Sequence, residues 1–352
     1  MMSDFRNIVK GCIYGGAIGD ALGYAIEFDR ENEIFSKYGE NGIQKYEYNQ
    51  NGEALISDDT QMTLFTAEAI VYAKKNNVSV RQAARQAYID WLITQLFDYK
   101  DRTKIEEFHQ HISWLSDMEG LYVTRYPGNT CLHSLIEPNK TKAVIEDYIS
   151  DKRNNSKGCG GIMRCAPVGL CLNGDIRTTD MEAAQLSAIT HCHSLGYMPS
   201  AVLAHIINRI TFSQNGQPLK EIILDAQKTV SEIFENDENL SYLNKIIDLS
   251  IELSENSEND LDNIHKIGGG WVGEETLGIA IYCSLRYEND FSKAVCVSVN
   301  HSGDSDSTGA VLGNILGAWL GFNKIEDKWK KRLELSDVLS RVCDDICNSF
   351  DN

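Results

Sequence analysis

Apolar residues recur along this chain with the three-to-four-residue spacing of amphipathic helices, and alternating strand patterns are nearly absent. Only five prolines interrupt the pattern. It predicts helices over 8–28, 60–75, 80–96, 181–211, 218–234, 240–253, 276–285, 291–300, 308–320 and 334–350. The sequence therefore predicts an all-α fold. No break in composition divides the chain, so we expect one compact multi-helix domain over 1–352.

Two of these helices carry glycine at every fourth position. Each glycine inside a helix costs about 1 kcal/mol relative to alanine, so eight of them need a compensating reason. Spacing by four places each set on one helix face, where the missing side chains let another backbone come close. We expect both faces to be buried, with packing of one against the other as the simplest arrangement. The glycines are Gly11, Gly15, Gly19, Gly23, Gly309, Gly313, Gly317 and Gly321.

Charge narrows the classes of partner. The chain has 33 Lys and Arg against 51 Asp and Glu, a formal net charge of -18, with no basic stripe, so we expect no nucleic-acid partner. The most apolar segment, 308–322, is too short to span a bilayer, and we expect no membrane association. The stretch 235–263 is rich in Asn, Asp, Glu and Ser while its middle keeps helical spacing, which predicts a peripheral acidic helical insertion.

The ten cysteines are scattered and form neither a Cys-x-x-Cys pair nor a zinc pattern with histidine. Most lie among apolar residues, where a reduced thiol behaves as a small hydrophobic group. With no signal-like N-terminal segment, this usage predicts a reducing, cytoplasmic location.

Two acidic clusters carry the main chemical signal: Ser-Asp-Asp-Thr at 57–60 and Gly-Asp-Ser-Asp-Ser-Thr at 303–308. Either cluster alone is compatible with simple capping of the helix that follows it. One cap needs one oxygen, however, and each cluster offers two carboxylates and a hydroxyl. Hard divalent cations such as Mg²⁺ prefer such oxygen ligands. We therefore predict that the fold brings Asp58, Asp59, Asp304 and Asp306 together as a shared metal site.

Two glycine-rich loops are weaker signals. The loop Gly158-Cys159-Gly160-Gly161 precedes an apolar stretch, and its amides are suited either to cradle a pyrophosphate or to form a plain helix–helix turn. The loop at 268–273 contains Trp271, which either stacks a base or sugar or belongs to a tight turn.

Three further polar residues remain ambiguous on spacing alone. A histidine such as His191, inside a helical pattern, is more often a packed, hydrogen-bonded residue than a ligand. Glu27 ends the first glycine helix and Asp20 lies two turns earlier. Either is an acid or base candidate if that helix end faces the metals.

Taken in order, these segments resemble the ADP-ribosylglycohydrolase family. The first and last motifs in combination are highly specific, whereas the glycine loops alone are not. The matching stretches are 15–23, 57–60, 158–164, Thr190-His191 with 195–197, 270–272 with 275–277, and 303–309.

The resemblance implies an all-α fold with a metal-lined central cleft that holds two Mg²⁺ ions, with Mn²⁺ as a substitute. The metal ligands that it implies are Ser57, Asp58, Asp59, Thr60, Asp304, Asp306 and Ser307. It leaves the catalytic base open among Asp59, Asp304 and Glu27. The substrate-binding residues that it implies are Gly158, Cys159, Gly160 and Gly161 at the diphosphate and His191 at the ribose. Tyr197 and Trp271 are candidates for adenine.

The activity implied is cleavage of the bond between ADP-ribose and the side chain of a mono-ADP-ribosylated protein, with ADP-ribose as product. The 304–308 segment and Cys159 look more like the arginine-specific branch, and Lys157 stands where serine-specific members place a tyrosine. Hydrolysis of serine-linked or other O-linked ADP-ribose is the alternative, as is ADP-ribose binding without turnover. Terpenoid synthases also bind Mg²⁺ through aspartates, but their Asp-Asp-x-x-Asp motif is absent here.

Overall fold

The computed structural model describes residues 2–107, 109–136, 147–213 and 216–350. Within them the chain forms helices joined by loops, and the only β-type pairs are isolated bridges, Ala54 with Leu333 and Gly158 with Val272. The predicted all-α class is confirmed. The α-helices are α1 (Met2–Tyr24), α2 (Glu31–Tyr38), α3 (Asp58–Asn76), α4 (Val80–Leu96), α5 (Arg102–Ile105), α6 (Asn129–Ile136), α7 (Tyr148–Asp151), α8 (Ala166–Cys171), α9 (Ile176–Ala188), α10 (Ser194–Phe212), α11 (Leu219–Ile233), α12 (Leu240–Glu255), α13 (Asp260–Ile267), α14 (Gly273–Arg286), α15 (Phe291–Val299), α16 (Ser305–Leu320), α17 (Asp327–Lys330) and α18 (Ser336–Asn348). Short 3₁₀ helices lie at Tyr99–Asp101, Trp114–Asp117, Glu119–Leu121, Cys159–Arg164 and Phe322–Lys324.

The two glycine faces meet at the centre of the molecule, where α1 and α16 run antiparallel in backbone contact. A Cβ on Gly15 would stand 2.1 Å from the carbonyl oxygen of Gly313, and one on Gly313 would stand 1.9 Å from that of Gly15. No other residue fits at such a distance. Because the pairing is antiparallel, the end of α1 lies beside the start of α16, where Gly23 faces Ser305. The close packing thus places the 303–308 cluster next to the end of the first helix.

The remaining long helices surround this pair. Helix α3 packs against α4 and α8, α10 packs against α8, α9 and α11, and α14 lies between α12 and α16. The two helices that begin with acidic motifs, α3 and α16, are also in contact. No helix among the described residues is long and apolar enough to cross a membrane.

Most helix ends differ from the predictions by a few residues, and two of the differences change where candidate site residues lie. The apolar spacing predicts one helix over 181–211, but α9 ends at Ala188 and α10 begins at Ser194. His193 caps α10 by accepting a hydrogen bond from the amide of Leu195 at 3.1 Å. The apolar period runs through this turn, so it gave no sign of the break. Similarly, the helix predicted over 8–28 ends at Tyr24, which leaves Glu27 in the turn that follows.

The stretch predicted as an acidic insertion contains α12 and the start of α13. Leu243 and Ile247 of α12 are buried, and this helix packs against α14. The polar composition of the stretch thus coexists with an apolar face that joins the core.

Candidate active site

Three helix ends converge on one cleft of about 390 Å³. The start of α3 contributes Asp58 and Asp59, the start of α16 contributes Asp304 and Asp306, and the turn after α1 contributes Glu27. Helix starts carry partial positive charge and unpaired N–H groups, which favour carboxylates at these positions. The structure therefore brings together all four aspartates that the two sequence motifs supply.

The start of α3 is held in place by Asp20, a buried residue of α1. The Asp20 carboxylate accepts hydrogen bonds from the Ser57 amide at 2.9 Å, the Thr60 amide at 3.1 Å and the Thr60 hydroxyl. The Ser57 hydroxyl caps the helix by accepting from the Asp59 amide at 3.1 Å. Ser57 and Thr60, both predicted as metal ligands, thus fix the helix start, and neither lines the cleft. Their neighbours Asp58 and Asp59 do.

At the start of α16, the carboxylates are ordered around Ser307. Its amide donates to Asp304 Oδ1 at 3.2 Å and to Asp306 Oδ1 at 3.0 Å. Its hydroxyl donates to Asp59 Oδ2 at 2.8 Å, which links the two acidic motifs. Ser307, a predicted metal ligand, lines the cleft and donates hydrogen bonds to three of the four aspartates.

The cleft concentrates negative charge away from water. Burial, followed by repulsion from neighbouring carboxylates, raises the pKa of Asp58, Asp59 and Asp306 well above the usual range. The same causes raise the pKa of Glu27 to about 8, with Asp304 the strongest of its charged neighbours. A bound cation would reverse this penalty, because it stabilises the charged form of each group.

The donor set fits a hard divalent cation. Carboxylate oxygens of Glu27, Asp304 and Asp306 lie within 4.8 Å of one another. Glu27 Oε2 is buried and has no hydrogen-bond partner among the described residues, which is costly for a carboxylate unless a cation is nearby. Oxygen-only ligation is what Mg²⁺ and Mn²⁺ prefer. Glu27, which spacing alone left ambiguous, is therefore placed among the candidate ligands.

The glycine loop forms one side of the cleft through Gly158, Cys159 and Gly160. The Cys159 thiol donates to Asp304 Oδ2 at 2.7 Å. A Cβ on Gly160 would stand 2.8 Å from Cε1 of His191, so glycine here lets the imidazole approach the loop. Gly161 faces away from the cleft, since a Cβ there would meet the Ser187 hydroxyl oxygen at 2.0 Å.

His191 is a buried, neutral imidazole in the cleft wall. Burial and the nearby Arg164 guanidinium lower its pKa to about 3. Its Nδ1 lies 2.8 Å from the Thr190 hydroxyl, which itself accepts a hydrogen bond from Arg164 Nη2 at 2.7 Å. The Thr190 hydroxyl has one proton, which it donates either to Nδ1 or to the Ser187 carbonyl at 3.5 Å; when it donates to Nδ1, Nε2 carries the proton of the imidazole. This tautomer offers a donor on the side of the glycine loop.

Of the two aromatic residues predicted to contact adenine, Trp271 lies at the cleft and Tyr197 does not. Trp271 lines the cleft and is about half exposed at its rim. Tyr197 does not line it: the side chain is buried, its ring lies 5.7 Å from that of Phe234, and its hydroxyl is 3.5 Å from Asp237. The structure therefore does not bring Tyr197 to the site.

Part of the cleft wall carries no sequence motif. The segment from Tyr126 to Cys131 lines the cleft, and the exposed ring of Tyr126 lies 5.2 Å from the exposed ring of Phe28 at the rim. Neither ring stands in a recognisable pattern, so spacing offered no way to find them.

Comparison of the sequence with family models identifies the family of this chain. The family model described as ADP-ribosylglycohydrolase matches residues 1–352. The chain belongs to this family. Its members are ADP-ribosylhydrolases that depend on metal, and the chain is accordingly an ADP-ribosylglycohydrolase.

Two named relatives have low identity to this chain, but their similarity extends over more than nine-tenths of it. ADP-ribosylarginine hydrolase Tri1 of Serratia proteamaculans is 23% identical over 98% of this chain and 80% of its own length. ADP-ribosyl-[dinitrogen reductase] glycohydrolase of Rhodospirillum rubrum is 21% identical over 92% of this chain and 90% of its own. A solved ADP-ribosylglycohydrolase-related protein complex matches with a TM-score of 0.62 and 19% identity, covering 99% of both chains, which supports the fold.

Proposed function

We propose that this ADP-ribosylglycohydrolase removes ADP-ribose from arginine side chains of proteins in a reaction that depends on Mg²⁺. The observation that carries the proposal is the cluster of Glu27, Asp304 and Asp306, in which the buried Oε2 of Glu27 has no hydrogen-bond partner in the part of the chain that the structure describes. Such a cluster suits both a divalent cation and the cationic guanidinium group of the substrate. The similarity to a hydrolase named for ADP-ribosylarginine points to the same linkage.

Two Mg²⁺ ions would be held by the carboxylates that line the cleft, which are those of Glu27, Asp58, Asp59, Asp304 and Asp306. When bound, Mg²⁺ neutralises the carboxylates, helps to orient substrate oxygens and lowers the pKa of water. Ser307 orients Asp59 by its 2.8 Å hydrogen bond.

The residues of the chain supply recognition and charge. We infer that the loop 158–160 faces the diphosphate, while His191 donates from Nε2 to a ribose oxygen. Trp271, at the rim, is the candidate for stacking on adenine. Arg164 does not enter the cleft, but through Thr190 it keeps the imidazole of His191 oriented and neutral.

The proposed reaction breaks the bond between the anomeric carbon of ribose and the guanidine nitrogen. Positive charge develops on the ribose ring as this bond lengthens, and the buried carboxylates stabilise it. Water adds to the anomeric carbon and gives up a proton to a carboxylate, with Asp59, Asp304 and Glu27 as the candidates. The guanidine leaves in its neutral form and takes up the proton that the carboxylate received from water, so the products are the protonated arginine side chain, ADP-ribose and the regenerated carboxylate.

The test is release of ADP-ribose from matched arginine-linked and serine-linked peptides, each with Mg²⁺ and with EDTA. We expect release from the arginine peptide only, and only with Mg²⁺. Release from the serine peptide alone would move the proposal to the O-linked class. Binding of ADP-ribose with no release from either peptide would replace hydrolysis by recognition.

We further propose that 1–352 form one domain and that the protein acts in the cytoplasm. Packing of α1 against α16 and α18 joins the two ends of the chain and supports the first point. The ten free thiols, nine of them buried, agree with the second. Limited proteolysis that released a stable fragment would argue against a single domain.

A further inference from the structure

A second cluster of metal-ligating side chains lies outside the cleft. It joins Asp90 of α4 to His109 and His111, in the segment between α5 and the 3₁₀ helix at Trp114–Asp117. One ligand atom from each residue lies within 4.8 Å of the other two. Asp90 Oδ1 is 2.6 Å from His109 Nε2 and 3.2 Å from His111 Nδ1. No part of this cluster lines the cleft.

The imidazole of His111 is the unexplained member. Both of its ring nitrogens are buried, and neither has a hydrogen-bond partner of acceptable geometry among the described residues. A buried imidazole normally uses at least one nitrogen, because leaving both unpaired costs free energy. Its side chain is 11% exposed and that of Asp90 is not exposed at all. Its Nδ1 lies 3.2 Å from Asp90 Oδ1, which is close enough for an ion pair and lowers the pKa of Asp90, but the N–H direction is poor for a hydrogen bond and Nε2 has no partner among the described residues.

The surroundings of His109 are also poorly explained by hydrogen bonds alone. Its Nε2 has Asp90 Oδ1 at 2.6 Å and Gln86 Nε2 at 3.1 Å. One nitrogen cannot both donate to the carboxylate and accept from the amide. The Gln86 amide nitrogen also donates to Asp90 Oδ1 at 3.5 Å. Rotation of the carboxamide by 180° would replace both contacts of this nitrogen by an oxygen that faces the cluster. Two imidazoles, a carboxylate and an amide oxygen would then face a common centre.

An ion pair between Asp90 and a protonated His109 is the simplest competing account. Although burial acts to raise the pKa of Asp90, the two imidazoles and the amide of Ile112 lower it below the usual value. This accounts for the 2.6 Å contact and for the ionised carboxylate. It does not account for His111, whose second nitrogen would need an acceptor if the ring were charged.

We propose that Asp90, His109 and His111 bind a borderline transition-metal cation of the Zn²⁺ class, at a site separate from the cleft. Two imidazoles and a carboxylate are a common three-ligand set for Zn²⁺, with water or the Gln86 oxygen in the fourth position. Nitrogen donors select such metals, whereas the all-oxygen cleft selects Mg²⁺ or Mn²⁺. The partly exposed ring of His109 provides a route for entry of the ion.

The proposed ion would link the loop that contains His109 and His111 to helix α4, which contains Asp90. Asp90 Oδ2 accepts a hydrogen bond from the Ile112 amide at 3.0 Å, so one carboxylate holds both the backbone and the proposed ion. The chain then runs through Val123, whose carbonyl accepts from Gln61 of α3 at 3.1 Å, into the Tyr126–Cys131 wall of the cleft. The metal would therefore stabilise the loop that leads into this wall, as a structural site rather than a catalytic one.

The test is equilibrium dialysis of the full chain against Zn²⁺, with Mg²⁺ in excess to occupy the cleft. We expect one Zn²⁺ per chain and a higher melting temperature for the wild type. The matched control His133→Ala, at an exposed histidine of α6, should behave the same way. His109→Ala and His111→Ala should each lose the ion and the thermal shift. Equal Zn²⁺ binding by wild type and both variants would overturn the proposal.

A second measurement needs no variant and so does not depend on folding. X-ray absorption at the zinc edge of the wild-type protein should show nitrogen and oxygen neighbours with the outer-shell scattering of two imidazoles. Sulfur neighbours would place the ion at Cys159 or another thiol and overturn the assignment. Absence of bound Zn²⁺ in the wild type would also overturn it and leave the Asp90–His109 ion pair as the account of the cluster.

Discussion

Ser307 donates its hydroxyl hydrogen bond to Oδ2 of Asp59 at 2.8 Å, across a separation of 248 residues. This contact joins the start of α16 to the start of α3 at the floor of the cleft. It exists because the glycine faces of α1 and α16 pack in backbone contact and because Asp20 of α1 holds the start of α3. The position of the carboxylates thus depends on packing throughout the central helices, and not on the two motifs alone.

The first prediction concerns this contact. Ser307→Ala should lower the affinity for Mg²⁺ by about 10- to 100-fold, the usual effect of removing a partner that orients a metal ligand. Activity should recover at high Mg²⁺, because the four aspartates remain. The measurement is ADP-ribose release as a function of Mg²⁺ concentration. Ser250→Ala, at a buried serine whose hydroxyl donates to the Ile246 carbonyl of its own helix α12, is the matched control. An unchanged Mg²⁺ dependence would show that Ser307 does not position Asp59.

The second prediction concerns Asp304. Asp304→Asn should lower turnover by more than about 100-fold, beyond the effect of a partner that only orients a ligand. The helical fold should persist, because asparagine caps a helix about as well as aspartate. Circular dichroism and thermal melting, measured beside activity, separate the two effects. Retained turnover at saturating Mg²⁺ would remove Asp304 from the proposed ligands, and loss of stability in proportion to activity would make its role structural.

Helical spacing located most of the fold but not its interruptions. The prediction for 80–96 agrees with α4 at both ends. The prediction for 181–211 missed the turn between α9 and α10, because Thr190 and His191 there are buried like their helical neighbours. The glycine faces were the most informative pattern, since seven glycines inside two helices have few explanations other than close packing. The eighth, Gly321, lies just after the end of α16 with a φ of +78°.

The parts of the candidate site that a sequence motif contributes could be predicted, whereas the parts that a loop contributes could not. The Ser-Asp-Asp-Thr sequence does not tell which oxygens face the cleft, because that depends on Asp20, 37 residues before Ser57. The Tyr126 to Cys131 wall depends on the route of a loop, which periodicity does not encode. The prediction that Tyr197 contacts the substrate was wrong for a related reason. Tyr197 is close to His191 in sequence, but its ring packs near that of Phe234, away from the cleft.

The third prediction tests the central helix pair. Gly313→Ala places a Cβ 1.9 Å from the Gly15 carbonyl oxygen, so the two helices must separate. We expect a loss of about 3 kcal/mol or more in the free energy of unfolding, at the upper end of overpacking effects, despite the higher helix propensity of alanine. Urea denaturation measures it. Gly174→Ala is the control, because no heavy atom lies within 4 Å of its added Cβ. Similar effects of the two substitutions would contradict the close packing.

The fourth prediction concerns a buried acid that lies outside the cleft. Glu68 of α3 is nearly inaccessible, its Oε1 has no hydrogen-bond partner among the described residues, and Asp345 is the charged group with the largest effect on its pKa. Burial, followed by repulsion from Asp345, raises its pKa to about 8. The folded state therefore favours the protonated carboxyl of Glu68. In the unfolded chain the same carboxyl loses its proton above the ordinary pKa of glutamate.

The sign of the pH dependence follows. Between the ordinary pKa of glutamate and about 8, the folded state holds a proton that the unfolded state has lost, so this group lowers stability progressively as pH rises through that window. The slope is at most about 1.4 kcal/mol per pH unit. Glu68→Gln removes the titration, so its melting temperature should exceed that of the wild type by more at pH about 9 than at pH about 5. Glu221→Gln, at an exposed glutamate of α11, should show no such trend. A gap between wild type and Glu68→Gln that stayed constant with pH would mean that Glu68 ionises normally in the folded protein, with water or a cation reaching its side chain.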